Sequence, residues 1–299
     1  MVPGASFRRS FIHVISLLRQ GLVYRELIAA FVGRELRARY KGSLLGGAWL
    51  LLQPVIFLAV YYTVFIEILQ FRMLEASDIG LPAGEADTSL LLAKVSALSM
   101  FVALVPWTVL QEAVVRSPSV ITDNGNMIKK ISFPAELLPV CLVGYGVVNL
   151  LVGIGVFMAT ALLVLDGNPF TAMTFALPLV IAVQAILMLG IAYLLSSVSV
   201  FIRDIAQVVP ILCTVWFFFT PIFYFKLPKP EYQWVFDWNP AALLVNLHRA
   251  TLLGGRLPTG DAATALWWPL AKLAAFSFVV LFIGYSVFMA KKQDFADEL

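Results

Sequence analysis

Apolar residues in this chain come in long blocks broken by short charged stretches. A membrane-crossing helix needs about 20 predominantly apolar residues, and six blocks reach or approach that length. Gly42 to Ile66 carries no charge and ends in the aromatic cluster Tyr61, Tyr62 and Phe65, and a second block runs from Val95 to Gln111. A third lies within Leu137 to Leu165, a fourth within Phe175 to Val200, a fifth within Ile205 to Phe225 and a sixth within Leu273 to Ala290. The pattern predicts an all-α integral membrane protein of six transmembrane helices with both termini on one side. Residues 20–41, "QGLVYRELIAAFVGRELRARYK", repeat instead at helical spacing: Tyr24, Leu27, Ile28 and Phe31 share a face, with Arg25, Arg34 and Arg37 mostly elsewhere. That is the signature of an interfacial helix along one leaflet, or of a plain basic anchor. "WNPAALLVNLHRATLLGG", 238–255, is apolar but too short to cross, so 228–256 is expected to form a re-entrant or surface-lying helical pair. His248, remote in sequence from His13, is expected to be structural.

Composition agrees with the pattern. Of 299 residues, 61% are hydrophobic and 13% charged, about half the charged share of a soluble domain, and mean hydropathy is +0.89. The net charge of +3 matters less than its placement. Eight basic residues (Arg8, Arg9, Arg19, Arg25, Arg34, Arg37, Arg39, Lys41) precede the first span, Arg116, Lys129 and Lys130 follow the second, Arg203 follows the fourth, and Lys291 and Lys292 follow the sixth. The other side holds Arg72, Lys94, Lys226, Lys229, Arg249 and Arg256 in two much longer loops. Basic residues concentrate on the cytoplasmic side, so both termini are expected there. Because the basic residues flank membrane segments, nucleic-acid binding has little support. "SFRRSFIHVISLLRQG" lacks the long apolar run and small-residue site of a cleaved signal, so the amino terminus is expected to be retained. Cys141 and Cys213 sit in apolar runs and read as core residues rather than a disulfide.

The chemistry the sequence lacks is informative. No GxxxxGK[ST] phosphate loop occurs, no metal-ligand cluster is spaced for a site, and Glu67, Glu112 and Glu136 fall at span ends where a carboxylate stays hydrated. Self-powered, ion-coupled transport generally needs ionisable groups in mid-membrane, and these boundaries leave none. Pro54, Pro106, Pro178, Pro210 and Pro221 supply kink-prone points. The residues alone therefore describe a six-helix permease that draws its power from elsewhere. Gly42 and Gly46 form a GxxxG compatible with close helix approach.

Three stretches carry a more specific likeness: "RELRARYKGSLLGGAWLLLQPV" (34–55), "LVPWTVLQEAVVRSPSVITDNGNMIKKISFPAELLPV" (104–140) and "FIRDIAQVVPILCTVWFFFTPIFY" (201–224). Together, and in this order, they resemble the transmembrane permease subunit of bacterial polysaccharide ABC exporters of the ABC-2 type, which move O-antigen, capsule or teichoic acid. The external segment 70–95 is longer and more acidic than in many relatives. The resemblance implies a cytoplasmic amino terminus with interface helix (1–43), a six-helix domain (44–290) with coupling element 123–134 and external helical pair 228–256, and a cytoplasmic tail (291–299). It implies a homodimer in the bacterial inner membrane with two ABC ATPase subunits beneath, a lipid-linked polysaccharide as cargo, ATP and Mg bound only by the partner, and no cofactor on this chain.

Site residues follow from the same resemblance. Asn126, Met127, Ile128, Lys129 and Lys130 match the short helix that docks in the ATPase, with Pro134 separating it from the third span; the bland alternative is a positive-inside flank. Arg203 and Asp204 match a short turn between spans four and five, either a pair capping that turn or a second ATPase contact. Arg34, Arg37, Arg39 and Lys41 match the interface helix, where planar guanidinium forks suit phosphate, against simple snorkelling to headgroups. Sugar rings pack their C–H faces on aromatics, which makes Tyr61, Tyr62, Phe65, Trp107, Trp216, Phe219 and Tyr224 candidates for a glycan channel, against the ordinary gathering of aromatics at interfaces. The alternatives are an ABC-2 exporter of drugs or lipids, and an integral enzyme acting on undecaprenyl-linked sugars.

Overall fold

The computed structural model describes residues 21–69, 86–130, 134–165, 170–224, 230–254 and 266–299. Residues 1–20, 70–85, 131–133, 166–169, 225–229 and 255–265 lie outside that set, and with them Arg8, Arg9, His13, Arg19, Arg72, Lys226, Lys229, Arg256 and most of the acidic external segment. Every regular element described is helical. In chain order they are α1 (Arg25–Tyr40), α2 (Trp49–Tyr61, continued by a wider turn to Ile68), α3 (Ala86–Arg116), α4 (Gly125–Lys130), α5 (Leu137–Val164), α6 (Leu177–Ser199), α7 (Ile205–Phe218), α8 (Gln233–Trp238), α9 (Pro240–Leu253), α10 (Trp268–Lys291) and α11 (Phe295–Glu298).

Five of these stretches are long and apolar enough to cross a membrane, beginning with Gly46–Ile68; the chain is a multi-pass membrane protein. The expected fifth span is different. α7 has 14 residues, about 21 Å at 1.5 Å per residue, against a hydrocarbon core of about 30 Å. It stops because Pro221 offers no N–H to continue the ladder, and because its last carbonyls are taken by other groups. Asn239 Nδ2 donates to Phe219 O at 2.8 Å, while Asn239 Oδ1 accepts from Trp216 Nε1 at 2.8 Å and from Ala241 N at 3.0 Å. One side chain thus caps the end of α7 and the start of α9.

The two helices expected as an external pair differ sharply in burial. Eleven of its 14 residues are buried, whereas Trp234 and Trp238 of α8 are exposed. Arg249, expected as a loop charge, is inside the molecule, 1% exposed. Its guanidinium donates to Ser99 O at 3.2 Å, Ile222 O at 2.6 Å and Pro221 O, and to Asn246 Oδ1 at 3.2 Å. A buried ion is tolerable only when its donors are satisfied, and here three backbone carbonyls from two other segments do so. His248 is also buried, with Nδ1 3.1 Å from Leu244 O, in keeping with a structural part. Lys272, near the start of α10, lies over the rings of Trp238 and Trp268.

The GxxxG reading of Gly42 and Gly46 is corrected. Both have positive φ, 84° and 49°, in the turn joining α1 to the first span, which therefore starts at Gly46 rather than Gly42. Only glycine adopts such angles without cost, and a residue in that conformation is not on a helix face. The close helix contact occurs elsewhere, where α6 crosses α10 at Gly190 and Gly284. A Cβ at Gly190 would lie 2.5 Å from Leu281 N, and one at Gly284 would strike Gly190 O. Overpacking of this kind costs about 1–3 kcal/mol. Gly190→Ala is thus expected to lower thermal stability and membrane abundance; an unchanged melting curve in detergent would mean that the helices can part without penalty.

Candidate functional site

The segment expected to couple to a partner is not a free loop. After α3, the turns Ser117–Ser119 and Thr122–Asn124 lead into α4. Ile121 is fully buried in a small apolar core with Ala135, Leu138, Tyr193, Val200, Tyr285, Phe288 and Phe295, and Ile128 packs against it. Asn126 and Lys129 point outward. α4 is therefore one-sided, with a greasy foot and a polar sole. Ser199 at the end of α6 hydrogen-bonds Pro118 O, drawing the 199–206 turn beside the coupling segment. A cavity of about 260 Å³ between them is lined by Ser119, Thr122, Arg203, Ala206 and Glu298 among others. The structure thus brings Ser119 and Thr122, which lead into the helix carrying Asn126, Met127, Ile128 and Lys129, beside Arg203; α4 ends at Lys130, and 131–133 lie outside the described residues.

Three expectations at this face are revised. Arg203 and Asp204 are exposed, and Asp204 precedes α7 without a side-chain capping bond. The turn is held by backbone bonds such as Gln207 N to Asp204 O at 3.0 Å, so the pair does not act as its cap. Glu136 is not hydrated but 5% exposed, with Lys292 Nζ at 2.6 Å and its carbonyl accepting from Tyr193 Oη at 2.8 Å. The segment expected as a tail is packed under the bundle: Phe295 is fully buried, at 5.2 Å from Phe288 ring to ring, and α11 touches α4. Lysine at the end of α10 gave no sequence signal for this, because its partner is 156 positions away.

α1 lies against α5, with Leu27, Ile28, Phe31 and Val32 half-buried and Tyr24 exposed; a Cβ at Gly144 of α5 would sit 3.0 Å from Val32. Its basic residues divide. Arg34, Arg37 and Lys41 are exposed, Arg34 lying 4.2 Å over the ring of Phe31. Arg39, also exposed, differs in its partners, ion-pairing with Glu112 and donating to Tyr145 Oη. Burial pulls its pKa down, but the hydrogen bond and charge of Glu112 outweigh that and hold it above the usual guanidinium value. Beyond Arg39 opens a cavity of about 160 Å³ bounded by Gln53, Phe57, Tyr61, Thr108, Glu112 and Asn149 among others. It is polar at the Arg39 end and aromatic further in.

The expected channel aromatics differ in exposure, and Phe217 bridges two of their clusters, lying 5.8 Å from both Trp107 and Phe223. Phe65 stacks on Phe223 at 4.9 Å, with Tyr61 6.0 Å from the same ring. Tyr62 is half-buried and Phe219 exposed; Tyr224 meets Phe236 at 5.6 Å and donates to Phe218 O. Trp107 is corrected: at 1% exposure it is core, edge-on to Trp216 at 5.6 Å with Nε1 on Gln111, and presents no surface to a passing sugar. Trp216 is half-buried, its indole N–H spent on Asn239.

Comparison with known proteins fits this geometry. A sequence profile described as ABC-2 type transporter matches residues 26–253, from α1 through the end of α9. The chain is 28% identical to the O-antigen export system permease protein RfbA of Myxococcus xanthus over 96% of its length and all of the relative's. It is 24% identical to a protein of the same name from Klebsiella pneumoniae over 92% of this chain and 95% of that one. Similarity extends to the polysialic acid transport protein KpsM of Escherichia coli, at 22% over 91% and 95%.

Proposed function

The chain belongs to the ABC-2 type transporter family, and from that premise we propose that it is the permease subunit of an exporter that moves a polysaccharide, attached to a lipid, out of the bacterial cytoplasm. Two copies of this chain and two ABC ATPase subunits make up the transporter in the inner membrane, with both termini of this chain on the cytoplasmic side. ATP and Mg are held by the ATPase. The exposed residues of α4 dock there, with Arg203 and Asp204 as a second contact. Arg34, Arg37 and Lys41 meet the phosphates of the lipid carrier at the membrane boundary, and Arg39 meets them from the cavity it lines. Tyr61, Tyr62, Phe65, Phe219 and Tyr224 offer weak stacking surfaces along which a glycan slides.

The single observation that carries this reading is the one-sided coupling helix, anchored by Ile121 and Ile128 in a core shared with α6 and α10 while its polar face stays open. A rigid foot of that kind passes a partner's movement into the spans. Similarity to polysaccharide permeases along almost the whole chain favours a glycan over drugs or ordinary lipids. The test is to co-express the chain with the ABC ATPase encoded nearest to it, purify the pair and reconstitute it in vesicles. ATP-dependent movement of lipid-linked glycan by the pair, and none by the chain alone, is expected. Uphill transport by the isolated chain, or turnover of undecaprenyl-linked sugar by it, would overturn the reading.

A further inference from the structure

Four charged residues and a tyrosine join the interface helix to the coupling segment. Glu35 and Arg39 lie one turn apart on α1, and Glu112 and Arg116 lie one turn apart at the cytoplasmic end of α3. Arg39 pairs with Glu112, Arg116 pairs with Glu35, and Arg116 also lies 3.6 Å from Glu112. Tyr145 of α5 sits beneath both guanidiniums, 5.5 Å from Arg39 and 5.3 Å from Arg116. The ladder is neutral, with two cations and two anions, and its members are a quarter to two-fifths exposed. Such pairs are individually weak and readily exchanged, which makes them suited to a link that must open.

The ladder also separates two cavities. Arg39 and Glu112 face the 160 Å³ cavity that runs inward along α2. Glu35 and Arg116 face a smaller one of about 80 Å³, lined also by Arg34, Asn124 and Cys141. After Arg116 the turns Ser117–Ser119 and Thr122–Asn124 lead into the coupling helix. A phosphate-bearing headgroup arriving at Arg39 competes with Glu112 for the same forked donors. Glu112, once released, has Arg116 as its nearest cation, and drawing Arg116 toward it loosens the hold of Glu35. A ligand shifts an equilibrium only through differential interactions with its two states, and here the phosphate takes over the guanidinium that Glu112 gives up.

Resting on the permease reading above, we propose that this ladder reports an anionic phosphate headgroup at the interface helix to the coupling segment, with Glu35, Glu112 and Arg116 as positioning residues that hold the segment at rest until Arg39 is taken. The test uses the permease–ATPase complex in vesicles of phosphatidylcholine alone, with phosphatidylglycerol, or with lipid-linked glycan. In the wild type, an anionic headgroup raises ATP hydrolysis; stimulation by phosphatidylglycerol alone assigns the headgroup to the bilayer, and stimulation only by the glycan lipid assigns it to cargo. Glu112→Gln and Glu35→Gln, each close to isosteric, are expected to raise hydrolysis in phosphatidylcholine alone by about two- to fivefold, the factor carried by one exposed ion pair, and to abolish further stimulation. A merely structural role would lower hydrolysis instead. Hydrolysis at or below wild type in both variants, or stimulation that survives in both, overturns the ladder. Failure of the wild-type complex to export glycan in the same vesicles counts against the permease reading itself.

Discussion

Reversing both charges on the coupling helix, Lys129→Glu with Lys130→Glu, is expected to leave the protein inserted and folded while export falls at least about tenfold. Lys129 is exposed, and the anchoring side of α4 is Ile128 against the cluster of Ile121, Tyr285 and Phe295, so the change leaves that anchoring cluster unaltered. At the partner's surface the effect is large, because like charges brought together across an interface cost several kcal/mol and each 1.4 kcal/mol is a factor of ten. Three measurements at matched abundance check it: recovery of the ATPase on purified permease, stimulation of hydrolysis, and export. Loss of the first two together with export supports docking through this helix. Export equal to wild type in the double variant removes the docking role and returns the lysines to ordinary flanking charges.

Replacing Arg249 is expected to have the largest effect on stability. Arg249→Leu keeps much of the volume but strips the donors from Ser99 O, Pro221 O and Ile222 O. Ser99 O keeps its helical partner, whereas Pro221 O and Ile222 O lie outside any helix; an unsatisfied buried acceptor costs about 1–3 kcal/mol, so two remove a large part of the stability of an ordinary domain, about 5–15 kcal/mol. Loss of most of the membrane-inserted protein is expected, read by fluorescence-detected size exclusion of a tagged chain. Arg249→Lys is expected to fail as well, because a single ammonium lacks the planar fork that reaches carbonyls in separate directions. Normal abundance and melting temperature in Arg249→Lys would show that charge alone suffices there and that the fork is dispensable.

The architecture is readable in the chain because lipid imposes a one-dimensional rule: apolar runs of about 20 residues must be helical. The helices at 25–40, 125–130 and 240–253 are legible from the same rule together with the family likeness. What stays hidden depends on partners far away in sequence. The position of Arg249 in a loop does not reveal that its carbonyl partners include one 150 residues away, nor does a basic flank reveal that Arg39 pairs with Glu112, 73 residues on. Gly42 and Gly46 have the spacing of a helix-contact motif, and spacing does not disclose φ. Trp107 is indistinguishable by composition from a channel aromatic, since both roles ask for a large flat ring in an apolar helix. α7 is shorter than its apolar run: hydropathy continues through Phe219–Phe225, whereas the break is made by Pro221 together with Asn239 from the segment that follows.

Where α6 and α10 cross, backbone meets backbone, with the Gly190 carbonyl lying where a side chain at residue 284 would have to go. Two rods fitted that closely have no slack for sliding or turning against each other, so they form the stator of the machine. The first span has no buried residue, and α7 buries only Val209 and Cys213. Within one chain those two spans are the most thinly fastened, so a shutter that swings aside for a bulky polymer is expected to be hung on them.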